Sequence, residues 1–149
     1  HFSDIFEEFK RFYAEHCCDA TKPYDGVLEM LRELKRTGKK AAIVSNKADF
    51  AVKELAKRYF GALIEAAVGE NEAAGIRKKP APDSVFSVLT LLNADRGKTV
   101  YIGDSEVDIE TAENAGLPCI SVTWGFKTEA FLRSHGARRL VRSPAEILE

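Results

Sequence analysis

The chain has 149 residues, enough to bury the core of one domain. Apolar residues make up 45% and charged residues 30%, the balance of a soluble globular protein. A net charge of −1 gives no field favouring nucleic acid or an anionic membrane, and no apolar run nears the ~20 residues of a membrane-spanning helix. The acidic, amphipathic start does not read as a signal peptide. The cysteines are Cys17, Cys18 and Cys119, an odd count with two adjacent, which reads as a reduced, cytoplasmic protein. The chain begins at His1 and its only methionine is Met30, so it reads as a fragment, a processed form or a trimmed chain.

Residues 3–17 carry Ile5, Phe6, Phe9, Phe12 and Tyr13 at helical spacing and predict an amphipathic helix. A polar break at 19–23 precedes a second helix, with Val27, Leu28, Leu31 and Leu34 on one face and Gly38 as its stop. Residues 40–44 form a short apolar run ending in Ser45-Asn46, a buried strand. A helix over 48–60 follows, then a weak strand at 66–68. The segment 69–82 is polar and carries Lys78-Lys79-Pro80. Residues 82–92 predict a helix opened by proline. Residues 99–102 are the strand before Gly103-Asp104, and 106–115 a helix closed by Gly116. A strand at 118–123 ends in Trp124-Gly125. A short helix at 128–135, a strand at 139–141 and a helix at 144–148 complete the chain. Strands alternating with helices predict an α/β fold with a parallel sheet covered on both faces. Residues 1–22, helix without strand, stand apart.

Three polar groups flank successive βα elements: Ser45-Asn46, Lys79, and Asp104 with Asp108. In a parallel sheet the C-terminal ends of the strands converge on one crevice. A hydroxyl, an ammonium and two carboxylates gathered there suit phosphate and Mg²⁺. Ser45 and the Asn46 amide are placed to bond phosphoryl oxygens, and Lys79 to neutralise charge in a water-poor site. Asp104 and Asp108 supply the hard oxygens that Mg²⁺ takes, a few per site. Each element alone has a plainer reading: a helix cap for Ser45-Asn46, a solvated loop lysine for Lys79, turn chemistry for Gly103-Asp104. The ordered set is what points to a site. His16 and His135, near helix ends, read as caps or solvated groups. Arg77, Lys78 and Lys79 form a basic cluster without interleaved aromatics, so nucleic-acid binding is not expected.

Val44-Ser45-Asn46, Lys79-Pro80 and Gly103-Asp104-Ser105-Glu106-Val107-Asp108 resemble the second, third and fourth motifs of the haloacid dehalogenase superfamily of phosphohydrolases. Pro23-Tyr24-Asp25-Gly26-Val27 and Val122-Thr123-Trp124-Gly125 are most similar to its phosphoglycolate phosphatase branch. The resemblance implies a Rossmann-like three-layer core over 23–149, with residues 1–22 as the end of a helical cap. It implies Ser45 and Lys79 as catalytic groups that bind the phosphoryl group, Asn46 as a substrate contact, and Asp104 and Asp108 as Mg²⁺ ligands. The implied partner is a small phosphorylated metabolite, phosphoglycolate or a sugar phosphate. The implied reaction is phosphomonoester hydrolysis through an aspartyl-phosphate.

The superfamily's first motif, an Asp-x-Asp pair after a strand, supplies nucleophile and general acid/base. No Asp-x-Asp pair occurs in these 149 residues. Its strand lies between those of the second and fourth motifs, so two unpaired inner edges are expected, and edges of that kind invite pairing with another chain. This chain alone is expected to show little or no turnover. Two other functions share the residues: a phosphate- and metal-binding module without catalysis, and a phosphomutase of the same superfamily. Oligomeric state stays open.

Overall fold

The computed structural model describes Glu8 and residues 22–149. The helix expected over 3–17 with its apolar face, His16 and the Cys17-Cys18 pair lie outside the described residues, Glu8 apart. In chain order the elements are α1 (Val27–Arg36), β1 (Ala42–Ala48), α2 (Asp49–Tyr59), β2 (Ala66–Glu70), α3 (Asp83–Leu92), β3 (Tyr101–Gly103), α4 (Glu106–Ala115), β4 (Cys119–Val122), α5 (Glu129–Ser134) and β5 (Arg139–Val141). The expected helix at 144–148 forms as a 3₁₀ helix, Pro144–Leu148. Proline at its start and only five residues of length favour the tighter turn.

All strand pairing is parallel, as α/β alternation requires. The strands fall into two groups, β1 with β2 and β3-β4-β5 in that order. Among the described residues β1 and β3 each have a partner on one edge only. These two strands carry the Ser45-Asn46 and Gly103-Asp104 motifs, between which the unpaired edges are expected. Ile102 on β3 is 38% exposed, well short of the burial a central parallel strand gives its apolar side chains.

Helix α3 ties the two groups together. Its Val85 joins Tyr101, Ala112, Ala115 and Leu117 in one buried cluster, and Val44 of β1 packs against that cluster with Leu89 and Cys119. Burial pushes the Cys119 thiol up to about 11, so it is a packing group rather than a reactive one. A second cluster of Ile120, Val122 and Val141 fixes β4 to β5, with Trp124 and Ile147 against it. No described helix is long and apolar enough to cross a membrane.

Strand β1 runs past its expected end. Its ladder with β2 is regular from Ala42 to Val44, then resumes only at Ala48 opposite Glu70. Between them Ser45, Asn46 and Lys47 face a single residue of β2, Gly69. A bulge of this kind re-aims side chains at a strand end. Gly69 makes the close approach possible, because a Cβ there would meet the Lys47 carbonyl and the Asp49 backbone. The Gly69 N–H then donates to Asp49 Oδ1 at 2.9 Å, pinning β2 to the start of α2.

Candidate functional site

The centre of the site is built by the first turn of α4. Ser105 caps the helix, its Oγ accepting from the Asp108 N–H at 3.3 Å. The Asp108 carboxylate returns toward the same turn, accepting from Ser105 Oγ at 3.0 Å and from the Asp104 N–H at 3.1 Å, both at Oδ2. A carboxylate in this position also lies where the helix dipole favours negative charge. Its other oxygen, Oδ1, accepts from Lys79 Nζ at 2.7 Å and from the Tyr101 hydroxyl at 2.7 Å. Lys79 Nζ also donates to that hydroxyl at 3.3 Å. Gly103 is required below this carboxylate, since a Cβ there would collide with the Asp108 side chain.

Both members of the Lys79–Asp108 pair are withdrawn from water, with side chains 13% and 8% exposed. Burial pushes the Asp108 carboxyl up, but the Lys79 charge and the hydrogen bonds from Lys79, Tyr101 and Ser105 outweigh it and leave it below the ordinary carboxylate range. Burial, then the negative charge of Asp108, raises Tyr101 far above the ordinary phenol range, so it stays a neutral donor. Asp104 is the opposite case. Burial, then the charge of Asp108, raises its carboxyl above the ordinary range. Gly125, just after β4, lies directly against it, and a Cβ there would collide with the Asp104 carboxylate.

The chemistry of this donor set fits Mg²⁺. Asp104 is a carboxylate whose charge is opposed by its neighbour, and a cation beside it would relieve that repulsion. Asp108 already accepts four hydrogen bonds, so Asp104 has the greater capacity to bind a cation. Among the described residues no group of three or more His, Cys, Asp or Glu side chains stands ready to hold a metal. Two carboxylates suffice for Mg²⁺ when waters and a phosphate oxygen complete its shell.

The structure therefore joins Asn46, Lys79, Asp104 and Asp108 in one connected network. Asn46 enters it through the backbone of Lys79, with hydrogen bonds at both ends of its amide. Ser45 is adjacent in sequence but stands apart from it. Its Oγ accepts from the Lys47 N–H at 3.1 Å, which leaves its own proton available to donate. Ser45 also lines an apolar pocket of about 190 Å³ between β1 and α2, with Ile43, Val52 and Leu55. Tyr101 and Gly125 also belong to the site; sequence gives Tyr101 only as a strand residue and Gly125 only as the end of the Val122-Thr123-Trp124-Gly125 match, neither with a site role. Their signals were the aromatic two residues before Gly103 and a glycine directly after the strand end of β4.

Comparison with known proteins shows the family. The family model for haloacid dehalogenase-like hydrolases matches residues 2–122. A phosphoglycolate phosphatase of Pseudomonas syringae pv. syringae is 28% identical over 96% of this chain and 49% of its own. The pyrophosphatase PpaX of Bacillus cereus is 30% identical over 89% of this chain and 61% of its own. A crystal structure described as a phosphoglycolate phosphatase of Lactobacillus delbrueckii subsp. bulgaricus superposes with a TM-score of 0.86 at 42% identity, covering 96% of this chain and 59% of that one. The chain thus spans about half to three-fifths of the length of these relatives. With a family model matched across most of its length, the chain belongs to the haloacid dehalogenase-like hydrolases.

Proposed function

We propose that this chain supplies the phosphate- and metal-handling part of a Mg²⁺-dependent phosphomonoester hydrolase acting on a small phosphorylated metabolite, phosphoglycolate foremost. The observation that carries this reading is the buried Lys79–Asp108 pair beside Asp104 at the end of β3. An ammonium held by a buried carboxylate is fixed in position before substrate arrives, and such preorganised charge is what stabilises charge developing on a phosphoryl group. Lys79 neutralises the phosphoryl oxygens, and Ser45 donates its free proton to one of them. Asp104 holds the cation, with Asp108 fixing the first turn of α4 beneath it. Mg²⁺, when bound, offsets phosphate charge and orients the group for in-line attack.

The nucleophile and the general acid/base come from an Asp-x-Asp pair outside these 149 residues, in a longer chain of the length the relatives have. The strand bearing it would seat between the one-sided edges of β1 and β3. The test is phosphate release from phosphoglycolate and from p-nitrophenyl phosphate, measured on this segment alone and on the longer protein carrying it. Turnover only in the longer protein, and only with Mg²⁺, is the expected result. A longer protein that binds phosphate and Mg²⁺ without releasing product refutes hydrolysis and leaves the binding-module alternative.

A further inference from the structure

The Asn46 side chain holds the backbone of Lys79 at two points. Its Oδ1 accepts from the Lys79 N–H at 2.6 Å, and its Nδ2 donates to the Lys79 carbonyl at 3.2 Å. The two residues are 33 positions apart, one in the bulge of β1 and one in the loop before α3. An amide side chain can satisfy both polar groups of one peptide residue only when its donor and acceptor are aligned with them, so this contact fixes orientation as well as position. The Lys79 ammonium is fixed independently, by Asp108 and Tyr101. Neighbouring loop residues are tied down separately: Asn114 Nδ2 donates to the Pro80 carbonyl at 2.9 Å, and Arg77 pairs with Asp83.

We propose that Asn46 is a positioning residue for Lys79, acting on turnover through its hold on the Lys79 backbone. The inference rests on the phosphatase reading above and deepens it. The Asn46 amide keeps a second Nδ2 proton, but any turn of the amide away from the Lys79 backbone would free the loop that carries the cation. The bulge in β1 has a purpose on this account. It turns Asn46 toward the loop while Ser45 keeps a free proton. Asn46 itself is exposed, so its replacement removes the clamp without opening the core.

The test is a double-mutant cycle in the longer protein, with Asn46→Ala, Lys79→Ala and the pair, read as kcat and KM for p-nitrophenyl phosphate and as inhibition by inorganic phosphate. Misplacing a charged group by about an ångström lowers turnover on the order of 100-fold. Asn46→Ala is expected to lower kcat by about 10- to 100-fold, with KM and phosphate inhibition changed less than about threefold, and to add nothing to Lys79→Ala. A raised KM with kcat intact, or a loss that multiplies that of Lys79→Ala, overturns the proposal in favour of direct phosphate contact. Asn46→Asp keeps the acceptor for the Lys79 N–H and is expected to fall between wild type and Asn46→Ala. A second readout needs no turnover. Backbone amide exchange at Lys79, followed by NMR, is expected to accelerate in Asn46→Ala. Unchanged exchange overturns the clamp whether or not the protein is a phosphatase. Accelerated exchange in a protein without phosphatase activity upholds the clamp and refutes the function instead.

Discussion

The end of β3 and the end of β1 both present polar side chains, but they are built in opposite ways. At β3 the Asp108 carboxylate accepts from a cation, a phenol, a hydroxyl and a backbone N–H, and is buried with its partner. At β1 the ladder breaks, Asn46 and Lys47 are exposed, and Ser45 bonds only locally. The first region is a closed network whose parts hold one another. The second is open, and Asn46 is its tie to the first. The difference teaches that charge at this site is placed by burial at β3, while β1 contributes through geometry.

Breaking the β3 network should have the largest effect. Lys79→Met leaves the buried Asp108 carboxylate without its cation. Removing one partner of a buried pair costs roughly 3–5 kcal/mol, and chemical denaturation is expected to show a loss of that size. The matching loss for Asn46→Ala is expected to stay near 1 kcal/mol, because its hydrogen bonds are exposed. Equal losses at the two positions would erase the contrast between the regions.

Gly125→Ala sharpens the same contrast. The added methyl collides with the Asp104 carboxylate. A destabilisation of about 1–3 kcal/mol is expected, with weakened Mg²⁺ binding by calorimetry. Tyr101→Phe comes next. It removes one of the hydrogen bonds holding Asp108 while keeping the ring in its cluster. A cost of about 1–2 kcal/mol in urea unfolding is expected.

Most of the fold was legible in sequence, because its signals are local. Gly116 stops α4 in the left-handed region with φ of 72°, and Ser105 caps the same helix, so its boundaries match the expected ones. The bulge in β1 was not legible. Ser45 and Asn46 look like residues after a strand, and only the pairing with β2 shows the strand continuing to Ala48. The Asn46 clamp is hidden for the same reason, since nothing in sequence places the amide, 33 residues away, against the Lys79 backbone. In sequence Tyr101 is one apolar residue of a strand. Its hydroxyl matters because α4 carries Asp108 back over the strand end, a tertiary contact.

The smallest expected effect lies outside both regions. Arg77 holds the Asp83 carboxyl at about 2 through side-chain and backbone hydrogen bonds. The folded value lies below the unfolded one, so this contribution is whole above about pH 4 and is lost as pH falls toward 2. The stability difference between wild type and Asp83→Asn is expected to shrink across that window. A difference that stays constant would show that the pair does not couple to folding.

The most direct test of the central assignment is Mg²⁺-dependent phosphate release by the longer protein, wild type against Asp104→Ala, with folding checked by circular dichroism. The account predicts that a folded Asp104→Ala variant loses metal-dependent turnover. A folded variant with unchanged turnover would contradict the assignment of this lip as the catalytic centre.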